Sequence, residues 1–192
     1  TTDGQGTFTD SSPGNIPITT GSGDPTHETE QSKFGASSLY LDGDDYLDVG
    51  GAVAAHTDVF YDVDGLDFTY DFWVRRTGSG RRGLISSHGD VSADDIEIEF
   101  TSTNKIMCGF RIGDGTTFHS VQTTSVLAAD TWYHIALIRH DGYLKIYVNG
   151  TIEHTNNTQW TGDIQNRTGL LLVGRYATMY HQGYLDEIRI SV

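Results

Sequence analysis

Three carboxylates stand at alternate positions in the run Asp94-Asp95-Ile96-Glu97-Ile98-Glu99-Phe100. On an extended strand, positions i, i+2 and i+4 share one face, so Asp95, Glu97 and Glu99 would project together, away from Ile96, Ile98 and Phe100. Two carboxyl groups about 5–5.5 Å apart are the reagents of retaining glycoside hydrolysis. Positions i and i+4 lie roughly 13 Å apart along a strand backbone, so curvature and side-chain reach would have to close that gap. The same pattern without chemistry is an amphipathic strand with a solvated acidic face.

A second group of residues has the types needed to hold a ligand. If residues 95–99 line an open face, the next strand offers Met107, Gly109 and Arg111 beside them. His88, Arg175 and Tyr176 lie on segments expected to edge the same groove, and Trp160, Tyr176, Tyr180 and His181 fall in loops outside the strong strand patterns. An exposed ring stacks on the apolar face of a sugar while carboxylates and arginines bind its hydroxyls. The expected ligand site is therefore His88, Glu97, Arg111, Trp160, Arg175, Tyr176 and Tyr180. The competing reading of loop aromatics is packing at the edge of the fold, which suits Tyr184 best and leaves Trp160 balanced. Trp73 has the parity opposite to Phe72, so it faces outward unless a second layer covers it.

The elements that must position these residues have a period of two. Phe68, Tyr70, Phe72 and Val74 alternate with Thr69, Asp71, Trp73 and Arg75, and Ile106, Cys108, Phe110 and Ile112 alternate with Met107, Gly109 and Arg111. Residues 132–139, the turn His140-Asp141-Gly142 and residues 143–149 read as a hairpin, and Asn149-Gly150 as a second tight turn. With 23 Gly, 3 Pro and 11% aromatics, no clean helical period and turn signals at short intervals, the chain reads as all-β. The expected fold is a two-sheet antiparallel jelly-roll sandwich in a single domain spanning residues 1–192, with residues 1–34 as a loop-rich lead-in.

Composition bounds the partners. Twelve basic against 26 acidic residues give a net charge of −14, which repels nucleic acid and anionic membrane surfaces. No apolar run reaches the roughly 20 residues of a membrane-spanning helix. The chain opens on Thr1 with neither an initiator Met nor a signal peptide, as expected of a piece of a larger protein. Its single cysteine, Cys108, forms no internal disulfide and has the parity of a buried thiol. His134 reads as a hydrogen-bonded core residue, and Arg75-Arg76 and Arg81-Arg82 around Gly78-Ser79-Gly80 as a solvated basic hairpin tip that would otherwise meet an acidic glycan or a neighbouring subunit.

Five segments carry a family resemblance: Lys33 to Gly43, Phe68 to Val74, Trp132 to Leu137, Tyr147 to Gly150, and Gly183 to Ile190. In this order they resemble laminin-G-like (LamG-like) jelly rolls of the concanavalin A-like lectin/glucanase superfamily. The likeness runs over roughly residues 7–192. Phe8-Thr9-Asp10-Ser11-Ser12 further resembles modules of phage structural and bacterial surface proteins. The resemblance implies that Trp132 packs structurally. The Asp94–Phe100 run is similar to the catalytic strand of laminarinase and lichenase glucanases, which would make Asp95 nucleophile, Glu97 helper and Glu99 acid/base. The departure is an Asp at the nucleophile and a Glu at the helper position, and no Trp precedes the run as a sugar platform. Asp186 matches a position where relatives hold a structural Ca²⁺, with Asp10 and Asn15 able to supply further oxygens. The function so implied is non-catalytic, lectin-like recognition of a glycan or cell-surface polysaccharide, at a cell or virion surface, beside other domains or subunits of a virion or adhesin. The alternatives are a structural or attachment domain contacting protein, and a glucanase-like hydrolase.

Overall fold

The computed structural model describes residues 3–4, 6–50, 67–88, 96–112, 117–156, 158–162 and 170–191. Their strands form two seven-stranded antiparallel sheets. The first runs, edge to edge, β1 (Ile18–Ser22), β4 (Tyr46–Val49), β13 (Leu170–Val173), β6 (Arg82–His88), β7 (Ile96–Phe100), β8 (Ile106–Ile112) and β9 (Thr117–Gln122). The second runs β12 (Thr151–Thr155), β11 (Tyr143–Val148), β10 (Tyr133–His140), β5 (Phe68–Arg76), β16 (Gly183–Ser191), β3 (Ser38–Leu41) and β2 (Thr26–Glu28). A short hairpin, β14 (Arg175–Tyr176) and β15 (Met179–Tyr180), belongs to neither sheet and packs against β6. This is the jelly-roll sandwich expected of the alternating pattern.

Why the sheets close on each other is plainest in β5. Its burial alternates residue by residue, with Phe68, Tyr70, Phe72 and Val74 inward and Thr69, Asp71, Trp73 and Arg75 half-buried on the other face. Ile96, Ile98, Phe100, Ile106, Cys108 and Phe110 meet them from the first sheet in one apolar cluster. Burial pushes the Cys108 thiol pKa up, so it stays protonated and packs as a small apolar side chain. The two hairpin turns carry positive φ at both central residues: Asp141 at 49° and Gly142 at 72°, Asn149 at 50° and Gly150 at 78°. That backbone twist matches the twist of the flanking strands, so the turns fix the β10–β11–β12 register.

Two arginines close the ends of the sandwich. Arg76, the last residue of β5, donates to the Leu127 carbonyl from Nε and Nη2 and to the Gly78 carbonyl from Nη1. Arg139 pairs across from Phe68 at the other end of β5 and donates to the carbonyls of Trp160 and Gly162. Both are buried, and each binds loop carbonyls that have no strand partner.

The lead-in is more regular than expected. Residues 1–34 contain β1 and β2, each an edge strand with one partner, β4 and β3 respectively. Edge strands bury little, which is why a polar sequence with scattered Gly hid them. At the other end of the chain, β16 carries a bulge between Asp186 and Arg189, with Glu187 at a φ of 50°. The extra residue turns Arg189 outward and leaves Ile188 and Ile190 packed against the core.

Candidate functional site

Strand β7 sends Ile96, Ile98 and Phe100 into the core and Glu97 and Glu99 to the outer face of the first sheet. Both carboxylates are nonetheless only 3% and 2% exposed. Their cover comes from two places distant in sequence. Arg81 Nε donates to both oxygens of Glu99, at 2.7 and 2.6 Å, and its Nη2 lies 3.9 Å from Glu97. The Arg81 guanidinium in turn stands 5.3 Å from the centre of the Tyr176 ring, on the β14–β15 hairpin. Burial raises the Glu99 pKa, and the Arg81 charge works against that rise.

The hairpin can lie this close because β6 carries a glycine where it crosses. A Cβ on Gly83 would fall 2.0 Å from the Tyr176 backbone nitrogen and 2.4 Å from the Arg175 carbonyl carbon. Ser86 Oγ anchors the same hairpin by donating to the Arg175 carbonyl at 2.8 Å. Gly83 pairs with Glu99 and Ser86 with Glu97, so hairpin and carboxylates share the outer face.

On one side of the carboxylates, Arg175 lies between two rings, 4.9 Å from the centre of Tyr46 and 5.4 Å from that of Tyr180, with its Nε donating to the Ala177 carbonyl. Asp48, two residues along β4, has its pKa raised by burial and opposed by the Arg175 charge. On the other side, Gly109 stands opposite Glu97, and the Phe118 ring rests where a Gly109 Cβ would be, 2.0 Å away. Arg111 lies 5.6 Å from the Phe118 ring centre, and Phe118 is itself exposed. The outer face therefore carries Arg175 between two rings, Arg81 between the Tyr176 ring and the buried carboxylates, and, toward β9, the exposed Phe118 ring.

The structure gathers Glu97, Arg175, Tyr176 and Tyr180, with Arg111 farther across the sheet toward its β9 edge. His88 occupies the end of β6, its backbone paired with Leu170. Asp95 lies outside the described residues, as does Asp94. Trp160 is elsewhere: its ring stands edge-on to Phe110 at 5.5 Å and 4.8 Å from His119, plugging the gap between the sheets. The basic pair Arg81-Arg82 does not form a free tip, because Arg81 is committed to Glu99. His134 is not a core residue; its strand parity puts it on the outer face of the second sheet, 5.3 Å from Trp73. Tyr46, Asp48 and Phe118 were missed, and Arg81 was read only as part of a basic hairpin tip. Gly83 and Gly109 were the available signal, since glycine inside a strand marks a close approach.

Each of the three residues expected to ligate calcium carries hydrogen bonds of its own. Asp186 Oδ2 accepts from the Lys33 and Phe34 N–H groups at 2.8 and 2.9 Å, and its Oδ1 from the Glu187 N–H at 2.9 Å. Asp10 accepts from the Ser12 and Ile16 N–H groups and the Ser12 hydroxyl, which hold its pKa low. Asn15, at a φ of 45°, donates its own N–H to the Ser12 carbonyl. Among the described residues, the side-chain groups close enough to share an ion are Asp42, Asp44 and Asp45, and Asp67, His140 and Asp141.

A laminin G family model, described as the concanavalin A-like lectin/glucanases superfamily, matches residues 41–191. The chain belongs to that superfamily. No curated protein sequence matches it significantly. Among solved structures, this member of the superfamily is similar to domain 4 of AbnA, a GH43 extracellular arabinanase from Geobacillus stearothermophilus, in complex with arabinotriose. That likeness has a TM-score of 0.61 at 18% identity, over 92% of this chain and 81% of that one. It is also similar to the Ruminococcus gnavus IT-sialidase CBM40 bound to α2,3-sialyllactose, with a TM-score of 0.64 at 14% identity over 80% and 88%. A botulinum neurotoxin type C structure, whose cell entry depends on interaction with two ganglioside molecules, gives a TM-score of 0.68 at 14% identity. There the match takes in 98% of this chain but only 46% of the toxin chain. At these identities the likeness establishes a lectin-like fold.

Proposed function

We propose that this chain is a non-catalytic carbohydrate-binding module that holds a glycan or cell-surface polysaccharide on the outer face of its first sheet. One observation carries the reading: on that face Arg175 lies between the rings of Tyr46 and Tyr180, and Arg81 stands against the ring of Tyr176 above buried carboxylates. A sugar ring has an apolar face for the aromatics and hydroxyls for the charged groups, and this surface offers both within one span. The similar structures named above, an arabinanase domain in complex with arabinotriose, a CBM40 bound to α2,3-sialyllactose and a neurotoxin that interacts with gangliosides, support the class of ligand.

The state of the two described carboxylates supports binding over hydrolysis. A general acid must give a proton to the glycosidic oxygen, and a nucleophile must reach the anomeric carbon. Glu99 is buried and held at both oxygens by Arg81, and Glu97 lies under the same guanidinium. They serve to fix Arg81 and, through it, Tyr176. The setting in which such a module works is a cell or virion surface, as one part of a larger protein.

The test is a glycan array of the isolated chain, with and without EDTA, beside a reducing-end assay on β-glucan. Binding to a defined glycan class and no reducing ends are expected. A blank array under both conditions would overturn the reading in favour of a structural domain contacting protein, and released reducing ends would overturn it in favour of hydrolysis.

A further inference from the structure

The opposite side of the sandwich carries a second feature, distinct in residues and in sheet. An open cleft of about 380 Å³ on the outer face of the second sheet is lined by Phe34, Asp71, Trp73, Glu187 and Arg189. Trp73 rises from β5, with His134 of β10 and Asp186 of β16 opposite it on either side. The Phe34 ring centre lies 5.6 Å from that of Trp73 with the planes at 76°, so the two rings make a corner. Phe34 is 49% exposed.

This corner is built rather than incidental. Asp186 holds the Lys33 and Phe34 N–H groups, which fixes the loop that presents Phe34 beside Trp73. The β16 bulge brings Arg189 opposite Asp71, and Arg189 Nη2 donates to Asp71 Oδ1 at 2.9 Å. The same carboxylate oxygen lies 3.4 Å from His134 Nε2. Lys33 Nζ sits 4.2 Å from the Trp73 ring centre, over the indole.

The rim sets the ligand chemistry. Asp71 and Glu187 with the neighbouring Asp186 face Arg189 and Lys33, which leaves a formal charge of −1 at the cleft although the whole chain carries −14. An ion of either sign gains little there. A ligand with one apolar face and a hydroxylated edge gains both the ring corner and the polar rim, and the cleft volume falls in the roughly 300–1,000 Å³ range of small-ligand sites. We infer that this cleft is a second binding site, which takes a neutral hexopyranose unit stacked on Trp73, its hydroxyls bonded to Asp71, Glu187 and Arg189. Lys33 covers the indole in the free protein. A single cation–π contact on a flexible lysine is readily given up, so the ammonium is displaced when the sugar arrives. A module with sites on both outer faces would bridge two glycan chains.

The cleft shares no residue with the outer face of the first sheet, and the experiment keeps the two surfaces separate. Indole N–H signals of the three tryptophans are followed by NMR during titration with lactose, cellobiose and maltose, in the Tyr176→Ala background, with Trp73→Phe used for assignment. The Trp73 signal is expected to shift saturably with at least one disaccharide while those of Trp132 and Trp160 stay in place. Trp73→Ala is expected to weaken that binding about tenfold or more, and Lys33→Ala to leave it unchanged or tighter. A Trp73 signal unmoved by all three sugars at millimolar concentration overturns the inference. If the wild-type chain still binds a glycan on the array, the first-sheet reading survives that result.

Discussion

The Nε of Arg81 lies within 2.7 Å of both carboxylate oxygens of Glu99, and this contact joins a loop ahead of β6 to the middle of β7 beneath Tyr176. Removing the guanidinium leaves two buried carboxylates without their counter-charge. Breaking a fully buried pair costs about 3–5 kcal/mol, and the 43% exposure of the Arg81 side chain brings the expected loss in Arg81→Ala below that range. The deficit should shrink as the pH falls, because a Glu99 without Arg81 takes up a proton more readily and the charge left uncompensated disappears. Urea unfolding at neutral and mildly acidic pH measures both effects; equal deficits at the two pH values would refute the pairing.

His181 should make the fold acid-sensitive. Burial, then the nearby Arg82 charge, pushes its pKa down from 6.5 to about 3, while the ring stacks on Phe100 at 12°. In the unfolded chain the imidazole takes a proton below about pH 6.5, and in the folded protein it does so only near pH 3. The unfolded state therefore binds more protons in that window, and stability falls by up to about 1.4 kcal/mol per pH unit as the pH drops through it. His181→Phe is expected to flatten that slope. An unchanged slope in a variant that folds would show that other groups govern acid unfolding.

Two glycines separate packing from binding. At Gly83 an added Cβ meets hairpin backbone, which cannot yield, so Gly83→Ala is expected to lift β14–β15, lose glycan affinity and cost about 1–3 kcal/mol. At Gly109 the Cβ meets the far end of the Phe118 ring, which can swing away, so Gly109→Ala should cost well under 1 kcal/mol. If Phe118 helps to form the sugar surface, Gly109→Ala still weakens binding. Thermal unfolding beside array titration distinguishes the two, and equal stability losses would contradict the geometry.

Much of the architecture was legible in the sequence. The alternation from Phe68 to Val74, the turns at Asp141-Gly142 and Asn149-Gly150, and the core parity of Cys108 all follow from local rules, because a strand with one buried face writes its period into the chain. The shared face of Glu97 and Glu99 was legible for the same reason. Their burial was not, since it depends on Arg81 and on a hairpin some eighty residues later. Trp160 shows the same limit: the sequence places it in a loop, and only the packed fold sets it against Phe110 and His119. Trp73 was read as outward-facing or covered, and it is both, half-buried beneath Lys33 and Phe34 yet lining an open cleft.

Asp186, which the family resemblance offers as a calcium ligand, receives three backbone N–H groups. Asp186→Ala should cost about 1 kcal/mol, because the Lys33 N–H is half-buried while the exposed Phe34 and Glu187 N–H groups can turn to water. The loss should be the same in calcium as in EDTA. A deficit that appears only when calcium is present would return the residue to a metal site.

The central claim is that a glycan is held on the outer face of the first sheet. Its most direct test is calorimetric titration of the best array ligand into the wild type, Tyr176→Ala and Trp160→Ala. The account predicts that Tyr176→Ala loses about tenfold or more in affinity at the first-sheet site. Trp160→Ala should lose stability and keep its affinity. Full affinity in Tyr176→Ala, or loss of affinity confined to Trp160→Ala, would contradict it.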